Sequence, residues 1–329
     1  MLLLLRDRLV SETAATVPAS PALAPWCRVV ADGGRVLVEH GDSVVTFDGV
    51  AAVKLLPALL PLLDGTRTVE DVVRDLGEPV APAVHSALSL LAGNRLLVDG
   101  PHPSPSVDQR TAAAALATAF SGRTTVAKAC DALAAATVHV LGSSQTARDI
   151  VRQLRDIGVG EVESRSADEP VDSAAFLVAA PSPPETDLLA RVNEHRVSSG
   201  APWLQVLPFD GLLAIVGPLF LPGESACRRC YLLRRAAASG YEEDFDCLER
   251  IPVEAGSPAP IAALAASLAS VLTLRWLTLR DPRLPGSLYA FEHAPVLRLT
   301  HHRVLRVPRC PACKPHDRVV PSLWFDDRS

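Results

Sequence analysis

Lysine is nearly missing from this sequence. Lys54, Lys128 and Lys314 are its only lysines, so arginine supplies 29 of the 32 basic residues. We read that bias as genome composition. There is no surplus of positive charge either: 37 acidic residues bring the net charge to -5, with a sequence pI near 6.0. A chain that binds nucleic acid needs such a surplus to displace counterions from phosphates. Long apolar runs are missing too. Met1–Leu5 is followed at once by Arg6, Asp7 and Arg8, short of the roughly 7–15 apolar residues of a secretory core. The run 261–274 stops at Arg275, short of the roughly 20 residues that cross a bilayer, and reads as a buried helix. These absences predict a soluble, cytoplasmic chain with no nucleic-acid or membrane partner. No G-x-S-x-G, H-E-x-x-H or P-loop occurs. His139 sits inside an apolar strand pattern and reads as a core histidine, and His301 and His302 as a solvated strand end.

What is present is ordinary globular material. The 329 residues are 48% hydrophobic and 21% charged, enough for about two domains whose cores need no disulfides. Residues 101–108 read Pro-His-Pro-Ser-Pro-Ser-Val-Asp. Alternate prolines continue neither a helix nor a central strand, so this segment is a stiff linker. It divides a tail (1–24) and a small module (25–100) from a larger domain (109–329).

In the small module, valine-rich runs at 27–31, 35–40 and 43–47 are broken by Asp32-Gly33-Gly34 and Gly41-Asp42, a hairpin pattern. A helix over 50–63 is bent or interrupted at Pro57 and Pro61, Thr68 and Asp71 form a capping box, and a third helix covers 83–91. Leu96-Leu97-Val98 adds a last strand. Three strands, three helices and a wing make a winged-helix-like α+β module. Its third helix offers only His85, Ser86, Ser89 and the nearby Arg95, too little charge for a DNA backbone. An open strand edge suits an added peptide strand instead. The alternative is that both edges are covered within the protein.

The larger domain opens with an Ala-rich helix at 111–120. It then alternates strands (137–142, 161–164, 174–179, 203–207, 212–216) with helices (146–154, 186–197), which predicts a doubly wound, mostly parallel sheet. Cys227-Arg-Arg-Cys230 and Cys310-Pro-Ala-Cys313 are two C-x-x-C pairs. Each places two thiolates on a tight turn, and two pairs complete a tetrahedral zinc site with no open position, hence a structural one. Two redox dithiols or plain buried cysteines are the alternatives. Cys27, Cys130 and Cys247 read as small buried hydrophobes. After the first strand, a phosphate-binding G-x-G-x-x-G turn is degenerate: Gly142 is kept, but Ser144 and Ala147 replace the other glycines. Ser144 adds a Cβ where phosphate needs room. Glu163 stands where a ribose acid belongs, with Arg165 beside it.

The segment 216–223 followed by Cys227-x-x-Cys230-Tyr231 resembles the strand and knuckle of E1-like (ThiF and MoeB type) proteins, and Cys310-Pro-x-Cys313 resembles their second knuckle. Residues 59–68 resemble a PqqD-type peptide-recognition element. The combination resembles the leader-peptide-binding partner proteins of azoline-forming cyclodehydratases, which serve thiazole/oxazole-modified peptides including thiopeptides. That resemblance implies a non-catalytic bacterial subunit that binds a precursor leader and presents it to a separate YcaO-type ATP-dependent enzyme. The leader would lie as a strand on Ser43, Val44, Val45, Thr46 and Phe47, against His85, Leu88 and Ser89. E1-like folds also pair, which admits a homo-oligomer. An active adenylating E1 is the second reading, and it requires Ser144 to be tolerated.

Overall fold

The computed structural model describes residues 16–41, 43–100, 109–118, 124–169, 174–185, 187–249, 251 and 256–313. The 101–108 linker, most of the N-terminal tail and the segment beyond Cys313 lie outside them. The chain falls into two compact units, Met1–Ala132 and Leu133–Ser329.

The first unit begins with β1 (Pro21–Leu23), β2 (Arg28–Asp32), β3 (Arg35–His40) and β4 (Ser43–Asp48). β2, β3 and β4 form an antiparallel meander. Gly33 and Gly34 link β2 to β3 at φ +55° and +83°, the left-handed pair that a two-residue hairpin turn requires. On β3, Val36 and Val38 are buried while Arg35 is exposed and Leu37 half-exposed, the period of two expected of a strand with one face on a core.

The helices follow as α1 (Val50–Leu59), α2 (Val69–Leu76) and α3 (Ala81–Gly93). α1 passes through Pro57 and tightens into a 3-10 turn at Leu60–Leu62. At the head of α2, Asp71 N donates to Thr68 Oγ1 at 3.2 Å and Thr68 N donates to Asp71 Oδ2 at 3.2 Å, the reciprocal box read from the sequence. Val36, Val38, Phe47, Leu56, Leu59, Val84, Leu88 and Leu91 share one apolar core.

The expected wing is different. The strand after α3, β5 (Leu97–Asp99), does not join the hairpin sheet. It pairs antiparallel with β1, Leu23 opposite Leu97 and Pro21 opposite Asp99, and Ser20 N donates to Asp99 Oδ1 at 2.9 Å. β1 therefore precedes the expected start of the module at Pro25. A three-residue strand carries too little alternation to be legible. α4 (Gln109–Thr118) follows in this unit, and α5 (Val126–Ala134) spans the division.

The second unit contains β6 (Thr137–Leu141), α6 (Gln145–Asp156), β7 (Glu161–Arg165), β8 (Phe176–Ala179), α7 (Leu188–Ser199), β9 (Trp203–Val206) and β10 (Leu213–Phe220). It continues through α8 (Arg228–Ser239), α9 (Glu242–Leu248), α10 (Ala259–Leu279), β11 (Ser287–Glu292) and β12 (Arg298–Arg303). The sheet order is β12-β11-β10-β9-β8-β6-β7. Only the β9-β8-β6-β7 half is parallel; β9 to β12 run antiparallel. The sheet is mixed rather than mostly parallel. A parallel crossover needs a helix-sized connection, whereas only residues 207–212 separate β9 from β10, a hairpin's length.

Helices cover both faces. On β8, Phe176 meets Trp276 of α10 with ring centroids 6.4 Å apart, while its neighbour Leu177 packs with Leu188 and Val192 of α7. Adjacent strand residues point to opposite faces, so α7 and α10 lie on opposite sides. α10 is long and apolar enough to cross a membrane, but Ala262, Ala266, Ala269, Leu272 and Trp276 are buried within this unit.

Candidate functional site

Three places in the structure carry the residues singled out above. The first is the cysteine cluster. Cys227 caps the N-terminus of α8, Cys230 lies in its first turn, and Cys310 and Cys313 follow β12. The sulfurs of Cys227 and Cys230 are 3.8 Å apart, those of Cys227 and Cys310 3.7 Å, and those of Cys230 and Cys313 3.5 Å. A tetrahedral ion with bonds of about 2.3 Å sets its sulfurs about 3.8 Å apart, so the four thiols are spaced to hold a metal, with all four sulfurs within 4.8 Å of one another. Cys227, Cys230 and Cys310 are buried and Cys313 half-buried.

The contact with the Cys227 thiol, and after it the Val307 amide at 3.3 Å, holds the Cys230 pKa down to about 4 against the opposing effect of burial. The same contact pushes the Cys227 thiol up. Arginines fasten the surrounding loop: Arg306 donates to Gly223 O at 2.7 Å and to Cys313 O at 3.1 Å, and Arg234 to Arg306 O at 2.9 Å.

The remaining cysteines differ from expectation. Cys27 and Cys130 are half-buried, and Cys247 is exposed. α9 anchors itself through buried Phe245, under the Arg235 guanidinium, which leaves Cys247 on the solvent side. Burial pushes the Cys27 thiol up to about 11, consistent with an inert residue.

The second place is the glycine turn after β6. It lies at the switch point of the sheet, where the chain leaves β6 toward β7 on one side and β8 stands on the other. Gly142 has φ +118°, and a Cβ there would stand 2.4 Å from Ala180 O, so only glycine fits. Ser144 serves as the cap of α6: its Oγ accepts from Ala147 N at 2.9 Å and donates to Ala180 O at 2.8 Å. A cavity of about 260 Å³ opens beside it, lined by Ser143, Gln145, Arg148, Ser182, Pro208 and Ser257 among others.

Glu185 stands on this turn, a residue that sequence reasoning did not single out. Its Oε2 accepts from Ser143 N at 3.0 Å and from Ser182 N at 2.6 Å. Burial works against its ionisation, but the amides and hydroxyls of Ser182 and Ser143 together outweigh it and hold the carboxyl below its ordinary range. Glu163, the expected ribose acid, is held by Arg165 at 2.6 Å and lies 3.3 Å from Nε2 of buried His139.

The third place is β4. Among the described residues it pairs only with β3, and none of them pairs with its other edge. Residues that flank a two-residue loop bond to each other, so Ser43, Val45 and Phe47 face β3 through their backbones and Val44 and Thr46 direct theirs to the free edge. Ser43, Val44 and Thr46 are exposed, as are His85 and Ser89 on α3. Phe47 and Leu88 are instead in the shared core, Leu88 fully buried. They belong to the core and are not available to a ligand. β2 is the opposite edge, and all five of its residues are exposed.

Mixed sheet, switch point and clustered cysteines together define an α/β unit built on a seven-stranded mixed sheet. No protein-family model matches the sequence, and no curated protein matches it. Solved structures do. The structure of the heterocyclase TruD aligns with TM-score 0.64 and 21% identity over 90% of this chain and 43% of its own. A heterocyclase in complex with substrate and cofactor aligns with TM-score 0.62 and 21% identity, over 89% of this chain and 39% of its own. E. coli MccB with MccA-N7isoASN aligns with TM-score 0.64 and 12% identity over 90% of this chain and 99% of its own. The match spans about two fifths of the length of these heterocyclases and nearly all of MccB. At these identities the likeness establishes a shared fold.

Proposed function

We propose that this chain is a binding subunit: it takes up the leader of a ribosomally made precursor peptide and presents it to a separate YcaO-type enzyme. That partner would form thiazolines or oxazolines from Cys, Ser and Thr with ATP. The open edge of β4 carries the reading, because an extended peptide can add there as a fourth strand, with backbone bonds giving affinity and side-chain pockets choice. His85 and Ser89 are the side chains of α3 available to it. The front module corresponds to a PqqD-type recognition element in this reading. Two of the structures that share the fold are described as heterocyclases, and MccB was crystallised with MccA.

The four cysteines hold zinc in this proposal. With four thiolate ligands no coordination position stays open, so the ion fastens α8 to the segment after β12 and takes no part in chemistry. Equilibrium binding of a fluorescent leader to the full chain tests the role. Binding that is lost when the β4 edge is blocked supports it; no binding, with or without the YcaO-type subunit, overturns it.

The second reading is an adenylating enzyme acting on a peptide or sulfur-carrier C-terminus. The fold shared with MccB and the cavity at the switch point favour it. ATP–pyrophosphate exchange by the purified chain with peptide present would establish it.

A further inference from the structure

The glycine turn after β6 has lost more than two glycines. In a nucleotide-binding fold of this kind, the amides of this turn and the N-terminus of the following helix receive a phosphate, and they sit at the crevice beyond the strand ends. Here the Ser143 amide already has an anionic partner. Glu185 Oε2 accepts from Ser143 N at 3.0 Å and from Ser182 N at 2.6 Å. Ser144 Oγ takes the Ala147 amide in the first turn of α6. The Ser143 and Ser182 hydroxyls lie 3.0 Å apart at the rim of the cavity.

We propose that Glu185 is the chain's own anion in this turn, seated where a nucleotide phosphate would have to bind, and that it keeps the switch-point cavity closed to nucleotides. A phosphate arriving at Ser143 N would meet a carboxylate already bonded there. Like charges at hydrogen-bonding distance repel strongly in a partly buried site. Displacing Glu185 would also strip its carboxylate of two amide donors and leave the Ser182 amide without this acceptor. The contact is therefore an occluding one, and it accounts for the degenerate turn: with the subsite filled from within the chain, room for phosphate at Ser144 is not needed.

This inference concerns the second unit and does not rest on leader binding by the first. The test uses the full-length chain with two probes, inorganic phosphate and Mg-ATP, read by calorimetry and by thermal shift. The variants are Glu185→Ala, Glu185→Gln and Glu185→Asp. Alanine empties the subsite, and aspartate withdraws the carboxylate by one methylene. Glutamine keeps the shape and one acceptor while removing the charge.

The expected result is no measurable binding by the wild type and at least a tenfold gain in phosphate affinity for Glu185→Ala. Glu185→Asp should gain less, and Glu185→Gln, which keeps the bulk but loses the repelling charge, should gain an intermediate amount. Two results overturn the proposal. One is wild-type binding of either probe as tight as that of Glu185→Ala. The other is a folded Glu185→Ala or Glu185→Asp variant that gains nothing. If Glu185→Ala does not fold, the aspartate variant decides. Leader affinity measured on the same samples should not move, so failure of the binding role and failure of this inference appear in different readouts.

Discussion

Replacing Val44 by proline separates peptide addition on β4 from every other use of this module. The backbone of Val44 points away from β3, because Ser43 and His40 close the hairpin and bond to each other. Proline there removes an N–H that nothing among the described β3–β4 contacts uses, and edge strands tolerate proline at such positions. One lost peptide hydrogen bond is worth about 1 kcal/mol net, which is about a fivefold loss of leader affinity. Proline at both Val44 and Thr46 doubles this to about 2 kcal/mol, roughly thirtyfold. Fluorescence anisotropy of a labelled leader measures both. Val29→Pro is the control, since the backbone of Val29 faces the free edge of β2 by the same alternation. Unchanged affinity in the Val44/Thr46 double variant, with the fold intact by circular dichroism, would refute the assignment of β4. Loss on Val29→Pro alone would move the peptide to the opposite edge.

Three further outcomes are expected. Purified chain should carry one zinc by elemental analysis, and Cys230→Ser or a strong chelator should remove it and lower the thermal midpoint, since the ion joins segments 83 residues apart in sequence. Gly142→Ala should destabilise the second unit by on the order of 2 kcal/mol or more, from the positive φ together with the clash against Ala180 O; denaturant unfolding measures it. Asp281 is buried, which works against its charge, yet hydrogen bonds from Arg283 and Arg275 hold its pKa down to about 2. A depressed carboxylate contributes stability above its unfolded pKa of about 3.9. That contribution should fade as pH falls from about 4 to about 2, and Asp281→Asn should flatten this part of the acid unfolding curve.

The front module was largely readable because its signals are local. Gly33-Gly34 dictates a hairpin, Thr68 and Asp71 dictate a helix start, and Val36 and Val38 show their period of two. Its β1–β5 pair was not, because Pro21-Ala22-Leu23 has meaning only beside Leu97–Asp99. In the second unit β6 to β10 appeared near their predicted places and β11 was not anticipated, but periodicity does not report a strand's direction. The antiparallel half follows from connections, not from residue pattern. The residues expected to hold a leader were read from a resemblance, and burial separates them: Leu88 and Phe47 inside, His85 and Ser89 outside.

The C-x-x-C pairs show where the boundary lies. Spacing alone put two thiolates on each of two turns, because that geometry spans four residues and is nearly independent of the rest of the chain. Only the folded sheet brought the two turns to within 4.8 Å and so made one four-sulfur cluster of them. Glu185 lies wholly beyond the boundary. It reaches Ser143 across 42 residues, through the end of β8, and no local pattern marks it. Local sequence determines the conformation of a turn, a cap or a strand face, since those energies are set within a few bonds. Which turn meets which side chain is decided by tertiary packing, where many distant pairings compete and only the whole core selects one.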